Sequence, residues 1–140
     1  MQGAVRTPLG FSTDNTALPA YTPGWPDPLE RSAISGAGGS CPPEKITELR
    51  WIHRATAQLT TAGDLQGWAS HDLRGEFGEV HCPVTLVWGD SDIWVPKVLI
   101  EESAKLIPGS QMVVIEGSGH FPMLETPERV AELIGDLSGR

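Results

Sequence analysis

Basic residues are scarce in this sequence, and no part of it is both long and apolar. Ten lysines and arginines stand against eighteen acidic residues, which gives a formal net charge of −8 and a pI near 4.8. Binding to nucleic acid requires clustered positive charge, so we expect no nucleic-acid partner. No apolar run approaches the ~20 residues that cross a bilayer, and the first residues lack the pattern of a secretory signal. We therefore expect no membrane partner and a cytoplasmic protein.

Cysteine is also scarce, because Cys41 and Cys82 are the two present. Two cysteines are too few for a disulfide framework, so we predict free thiols in a reducing compartment. The histidines outside the later motifs offer no metal-ligand spacing, His71 and His81 included. His53 is predicted to be a half-buried packing residue. We expect neither a metal nor a cofactor.

The composition of the chain changes near residue 43. Residues 1–43 contain seven of the twelve prolines and the glycine-rich run SGAGGS at 35–40. Apolar residues in this part recur with neither a helical nor a strand period. We predict an irregular or disordered leader over 1–43, followed by a folded domain over 44–140.

The second part of the chain shows alternating helix and strand patterns. The two strand-like runs are β-branched and aliphatic, as in strands covered on both faces. The last helix opens with Thr126 as N-cap and Pro127 at its first position, and its apolar residues form one face that should pack on the sheet. The predicted elements are helices over 43–63 and 64–73, a strand over 84–88, a helix over 96–107, a strand over 111–117 and a helix from 127. A strand, a helix and a second strand predict a parallel crossover.

Candidate catalytic groups follow the ends of both predicted strands. Asp90 and Asp92 come just after the first strand, and His120 comes just after the second. The carboxyl ends of neighbouring parallel strands meet at one sheet edge, where functional groups collect. A carboxylate there can orient an imidazole and stabilise its charged form. Gly117 and Gly119 would let the chain turn and let other segments approach His120. The spacing alone fits a catalytic pair, but it also fits ordinary loop residues.

The stretch 82–137 resembles the C-terminal part of the α/β-hydrolase fold family. The resemblance lies in PVTLVWGDSDIWVP at 83–96 and in IPGSQMVVIEGSGHFPMLETPERV at 107–130, in that order. It implies a partial α/β-hydrolase fold of the α/β class, with parallel strands, flanking helices and a helical cap remnant. The cap remnant is the weaker part of the resemblance and covers 52–80. The resemblance also implies hydrolysis of a small ester or a related acyl, C–C or epoxide substrate.

The same resemblance assigns roles to individual residues. It makes Asp92, the last residue of a G-x-x-D turn, the triad acid, and His120, the last residue of G-x-G-H, the triad base. Asp90 then stands at a variable position and is interpreted as a turn former. Phe121-Pro122 and Glu125-x-Pro127 also match, in roles that are largely structural. By their position beside the pair, Trp94 and Phe121 are candidate substrate-binding residues, with packing as the alternative role; Trp51 and Trp68 are weaker candidates.

The nucleophile of such an enzyme has no counterpart in the sequence. The family carries it in a G-x-S-x-G elbow between a strand and a helix, and that motif is absent here. GGSCP at 38–42 is the nearest imitation, but it follows no strand pattern, so Ser40 and Cys41 are poor candidates. Ser118 is predicted to have a turn role. An aspartate nucleophile is equally unseen.

Three interpretations of this pattern stay open. The chain is a fragment or truncated hydrolase, one subunit of a split hydrolase, or a non-catalytic interaction protein. Two strands alone leave sheet edges open, which favours pairing with another chain. The expected partners are accordingly a small-molecule substrate and either a complementary chain that carries the nucleophile or a second copy of this chain. We predict that the isolated chain is inactive.

Overall fold

The computed structural model describes residues 23–138, and these residues form two compact units. The first, here the helical unit, comprises residues 23–34 and 48–73 of the described chain. The second, the α/β unit, comprises residues 35–47 and 74–138. None of the helices within 23–138 has the length and the apolar content that a membrane span needs.

Three helices supply the helical unit, and two of them also extend into the α/β unit. They are α1 (Pro26–Gly36), α2 (Pro43–Ala55) and α3 (Gln58–Ser70). Small and aliphatic side chains form the buried interior of this unit, namely Ala33, Leu49, Ala62 and Ala69. Small residues let helix backbones approach closely, so this interior is thin.

Ion pairs join α1 to α2 within the helical unit. Glu30 is 8% exposed, and its carboxylate pairs with Nε of Arg50 at 2.7 Å and with Nε of Arg54. Arg54 also donates to Asp27 at 2.8 Å. His53 is half-buried, as predicted, and burial lowers its pKa while the charge of Glu30 acts in the opposite direction. A buried carboxylate therefore organises the junction of the two helices.

The helical unit corrects two predictions. The irregular segment predicted over 1–43 contains α1, and residues 1–22 lie outside the described residues. The predicted stop at Gly63 is wrong, because Gly63 lies inside α3 and the break falls instead at Thr56 and Ala57. Local glycine propensity is weak, at about 1 kcal/mol, and the packing of α3 through Ala62 and Ala69 outweighs it. The domain boundary at residue 43 stays a prediction.

The α/β unit follows the predicted order of strand and helix. Its elements are β1 (Thr85–Gly89), α4 (Lys97–Leu106), β2 (Gln111–Ile115), α5 (Pro122–Glu125) and α6 (Pro127–Ser138), preceded by a 3₁₀ turn at Phe77–Glu79. The two strands are parallel, with Thr85 opposite Gln111 and Gly89 opposite Ile115. The parallel pairing predicted from the strand–helix–strand order is confirmed.

The interior of the α/β unit lies where the strands meet their helices. Its buried hydrophobic side chains are Trp88, Ile107, Ile115 and Leu133. The Trp88 indole N–H donates to the Val95 carbonyl at 2.8 Å, so this ring is both buried and hydrogen-bonded. Two apolar residues predicted to pack inside are exposed instead, Val114 on β2 and Ile134 on α6. Among the described residues the sheet has two strands, which leaves too little structure to cover every apolar position.

Candidate active site

Asp92 and His120 meet at the carboxyl ends of the two strands. Oδ2 of Asp92 lies 3.0 Å from Nδ1 of His120. The Asp92 side chain is 6% exposed and the His120 side chain 30% exposed. β1 and β2 are paired in register up to Gly89 and Ile115, so the two loops leave the sheet side by side. The structure therefore brings together the two residues that the sequence singled out.

The contact assigns a tautomer to His120 when Asp92 is ionised. An ionised carboxylate can only accept a hydrogen bond, so Nδ1 must donate to Asp92. The neutral ring then has its lone pair on Nε2, away from Asp92. A group presented to Nε2 can give up a proton there while the carboxylate stabilises the resulting imidazolium. This arrangement can perform general acid–base chemistry.

The other oxygen of Asp92 is held by its own loop. Oδ1 accepts the N–H groups of Trp94 at 2.8 Å and Val95 at 3.1 Å. Asp90 joins the two loops, because its carboxylate accepts the Gly117 N–H at 2.7 Å and its own N–H donates to the Ile115 carbonyl at 3.1 Å. Asp90 was interpreted as a turn former, whereas its carboxylate links the loop after β1 to the loop after β2.

The loop that carries His120 depends on two glycines. Gly117 has φ of 72°, a conformation that side chains with a Cβ rarely adopt. At Gly119 a Cβ would overlap the main chain of Gly36, Ala37 and Gly38. The sequence predicted both roles, a sharp turn and a close approach of another segment.

The approaching segment is the glycine strap, which we define as residues 36–40. The His120 N–H donates to the Gly36 carbonyl at 2.7 Å. The Gly117 carbonyl accepts the N–H of Ser40 at 3.3 Å and its hydroxyl at 2.8 Å. This strap lies in the stretch predicted to be irregular, and it is a structural part of the loop that carries His120.

Glu125 is a buried carboxylate beside the same loop. It is 4% exposed, and its oxygens accept three main-chain N–H groups, from Gly38 at 2.8 Å, Gly119 at 2.7 Å and Phe121 at 2.9 Å. Two of these donors flank His120 in the chain, and the third belongs to the glycine strap. Sequence reasoning gave Glu125 a largely structural role; the hydrogen bonds connect it directly to the His120 loop.

Aromatic rings surround His120 on one side. The Trp94 and His120 ring centroids lie 4.6 Å apart, and those of Phe121 and His120 lie 5.1 Å apart at 90°. A small cavity of about 150 Å³ borders the site, lined by Val87, Trp88, Gly89, Asp92, Val95, Ile100, Gly119, His120 and Pro122. Trp94 and Phe121 restrict the His120 ring without lining this cavity, and their contact with a substrate stays a prediction.

The residues that the sequence made poor nucleophile candidates lie in or directly after the glycine strap and in the His120 loop. The Ser40 hydroxyl donates a hydrogen bond to the Gly117 carbonyl, as described above. Its proton is therefore already engaged. Burial, followed by the charges of Glu125 and Glu44, raises the pKa of Cys41 and disfavours its thiolate. Ser118 is fully buried, and its hydroxyl has no hydrogen-bond partner in the described part of the chain. Its carbonyl accepts the Ser91 N–H at 2.9 Å.

Both thiols are free, as predicted. No group of three or more His, Cys, Asp or Glu side chains within residues 23–138 could hold a metal ion. Main-chain N–H groups hold the Asp92 side chain, and the glycine strap holds the main chain of His120.

Sequence reasoning missed three contributors to this site, namely Glu125 as a main-chain acceptor, the glycine strap and the cross-loop bond of Asp90. The glycine run at 35–40 was visible, but glycine-rich composition indicates flexibility as readily as close packing. The position of Glu125 four residues after Phe121 was also visible. Its contact with the distant Gly38 could not be found from local spacing.

Comparison with known proteins places the chain in a family. A model of the alpha/beta hydrolase family matches residues 3–133. A pimeloyl-[acyl-carrier protein] methyl ester esterase of Aeromonas hydrophila is 32% identical over 110 residues, covering 76% of this chain and 43% of that protein.

Solved structures agree with the same fold. A thermophilic esterase from Thermogutta terrifontis superposes with a TM-score of 0.79 at 27% identity, over 89% of this chain and 48% of that one. An enol-lactonase from Burkholderia xenovorans also reaches 0.79, at 18% identity, over 89% of this chain and 49% of that one. The chain thus spans about half the length of these structures. The parallel strands with flanking helices form a partial α/β-hydrolase fold, and the chain belongs to the alpha/beta hydrolase family.

Proposed function

We propose that Asp92 and His120 are the acid–base pair of a hydrolase that cleaves a small carboxylic ester. The observation that carries the proposal is the 3.0 Å contact between Nδ1 of His120 and Oδ2 of Asp92 at the ends of adjacent parallel strands. Nε2 of His120 takes the proton of an attacking hydroxyl and later returns it to the leaving alcohol. Asp92 keeps the ring in the required tautomer and stabilises the imidazolium between these steps.

An ester is the substrate class that the relatives support best. The Aeromonas hydrophila relative is a methyl ester esterase, and the Thermogutta terrifontis structure is an esterase above 25% identity. C–C and epoxide substrates are the alternatives that the family resemblance leaves open. Each would require cleavage of a different bond or attack by a different nucleophile. The small cavity at His120, mostly apolar in its lining, fits a small acyl or alcohol group.

The nucleophile in this proposal comes from a polypeptide segment other than residues 1–140. The motif G-x-S-x-G does not occur in the chain. The site supports this division, since the Ser40 hydroxyl is engaged and the pKa of Cys41 is raised. The segment that carries the nucleophile would add strands to the two-stranded sheet and cover the exposed Val114. A second copy of the chain at the same edge is the competing arrangement.

The test is a chimera. Residues 1–140 replace the matched region of the Aeromonas hydrophila esterase, so that the rest of that protein supplies the nucleophile. We expect hydrolysis of p-nitrophenyl acetate and labelling of one serine by a fluorophosphonate, both reduced roughly 10³-fold or more by His120→Ala. His81→Ala, at an exposed histidine outside the site, is the matched control and should keep full activity.

Two outcomes would contradict the proposal. A folded chimera whose His120→Ala variant keeps its activity would remove His120 from the mechanism. Stoichiometric labelling of residues 1–140 by the probe, in the absence of any other chain, would mean that the nucleophile lies within this sequence. Size-exclusion chromatography of the chain alone distinguishes pairing of two copies from a monomer with an open sheet edge.

A further inference from the structure

The three main-chain N–H groups at positions 119 to 121 all have defined acceptors. Gly119 and Phe121 donate to the carboxylate of Glu125, and His120 donates to the Gly36 carbonyl. The acceptors come from two different parts of the chain, namely α5 and the glycine strap. The backbone of the candidate base is therefore held from both sides.

Glu125 also ties these two parts to each other. Its Oε2 accepts the Gly38 N–H at 2.8 Å and the Gly119 N–H at 2.7 Å, so one oxygen bridges the strap and the His120 loop. Its Oε1 accepts the Phe121 N–H, and Phe121 is the N-cap of α5. The side chain thus reaches back to the start of its own helix and satisfies the N–H of the N-cap residue.

Because Glu125 is buried, its three N–H donors depend on its carboxylate for their hydrogen bonds. Glu125 is 4% exposed, so water does not compete for its oxygens, and a donor that lost its partner there would be left unsatisfied. A glutamine at 125 offers one acceptor oxygen and an NH₂ group that would oppose another N–H. Replacing the carboxylate therefore releases at least one of the three donors.

The position of the His120 ring follows from this backbone. Its contact with Asp92 spans 3.0 Å, and the geometry of a hydrogen bond tolerates displacements of only a few tenths of an ångström before it weakens. A shift of the loop at residues 119–121 would move Nδ1 relative to Oδ2, although neither partner had been changed.

We propose that Glu125 is a positioning residue, which with the glycine strap sets the His120 ring against Asp92 by binding the main chain on both sides of it. Its importance to catalysis rests on the role proposed for His120. Its effect on the ring does not depend on any activity.

The test is made on the ring itself, by nuclear magnetic resonance of the full chain labelled with ¹⁵N. In Glu125→Gln we expect the amide of Gly119 or that of Phe121, whichever faces the NH₂ group, to exchange with solvent at least tenfold faster. The resonance of the His120 Nδ1 proton should be lost or broadened, and the ring ¹⁵N shifts should indicate a mixture of tautomers. Glu116→Gln removes the same charge from an exposed position next to the loop and should leave these signals as in the original chain.

A second pair of variants separates positioning from general destabilisation. Leu133→Ala weakens the interior of the same unit at a residue of α6 that lies outside the His120 loop in the chain, and its His120 Nδ1 resonance should persist. Glu125→Asp keeps the charge on a shorter side chain and should retain part of the amide protection with a shifted ring resonance. If Glu125→Gln does not fold, the Glu125→Asp variant decides.

Unchanged ring signals in a folded Glu125 variant, with faster amide exchange at 119 or 121, would overturn the proposal and leave Glu125 a structural residue. In the chimera we expect Glu125→Gln to lower kcat at least tenfold with KM within about twofold. A folded chimera without activity would also contradict the proposed hydrolase function, whereas the ring signals would still decide the role of Glu125.

Discussion

Nδ1 of His120 lies 3.0 Å from Oδ2 of Asp92, while Oδ1 of the same carboxylate accepts the N–H groups of Trp94 and Val95. Each oxygen of Asp92 thus has its own hydrogen-bond partners. The bonds within its own loop hold the carboxylate in place, and the remaining oxygen is directed to the ring. Because both functions reside in one side chain, a change there can be designed to remove one and retain the other.

Asp92→Asn is expected to keep the fold and reverse the direction of the hydrogen bond to the ring. The amide oxygen can still accept from Trp94 and Val95, but the NH₂ group then faces Nδ1, which must give up its proton to Nε2. In the chimera this should lower kcat by about 10⁴-fold, as expected for a base in the wrong tautomer. The melting temperature of the chain should fall by less than about 4 °C. Asp136→Asn, at an exposed site on α6, is the matched control for both measurements, and equal effects of the two changes would contradict the role of Asp92.

Gly119→Ala and Gly135→Ala should change stability in opposite directions. A methyl group at Gly119 would overlap the main chain of the glycine strap, so we expect a loss of at least about 2 kcal/mol in the free energy of unfolding. Gly135 lies within α6 with open space around it, and alanine there should add about 0.5–1 kcal/mol. Urea unfolding followed by circular dichroism measures both. A Gly119→Ala chain as stable as the original would mean that the strap does not pack against the loop in solution.

The two thiols should differ in their rate of alkylation. Burial and the nearby charges of Glu125 and Glu44 raise the pKa of Cys41, whereas Cys82 is exposed. A raised thiol pKa means less thiolate at any given pH below it, so Cys41 should approach its full reactivity only at higher pH. At pH 8 we expect iodoacetamide to modify Cys82 at least about fivefold faster, as followed by intact mass and peptide mapping. The ratio of the Cys82 alkylation rate to the Cys41 alkylation rate should fall as the pH rises. Faster alkylation of Cys41 than of Cys82 at pH 7 would make Cys41 a nucleophile candidate again.

Glu30→Gln should destabilise the helical unit more than Asp27→Asn does. Both carboxylates pair with Arg54, but the Glu30 side chain is 10% exposed and the Asp27 side chain 58%. Breaking the buried pair leaves Arg50 and Arg54 without their shared partner, and since both arginines are about half-exposed we expect a cost of about 1–3 kcal/mol. The exposed pair should contribute less than about 1 kcal/mol. Thermal unfolding of the two variants at equal ionic strength makes the comparison, and a reversed order would mean that burial does not set the strength of these pairs.

Much of the α/β unit could be predicted because its patterns are local. The apolar runs around Val87 and Val113 indicated strands, and Pro96 and Pro127 marked where helices begin. Parallel pairing then followed from chain connectivity, and it implied that Asp92 and His120 would be neighbours. The helical unit was harder, because its helices contain glycine and proline and gain their stability from packing that no short window of sequence reveals.

The amino-acid sequence by itself determined the order of the strands and helices in the α/β unit, the family and the two residues of the candidate acid–base pair. It could do so because hydrophobic period, proline position and short motifs act over a few neighbouring residues. Only the tertiary structure decided what holds that pair in place. Glu125 accepts a hydrogen bond from Gly38 of the glycine strap, 87 residues earlier in the chain. The hydrogen-bond partners of a buried carboxylate depend on which groups lie near it in space, and local sequence does not encode that.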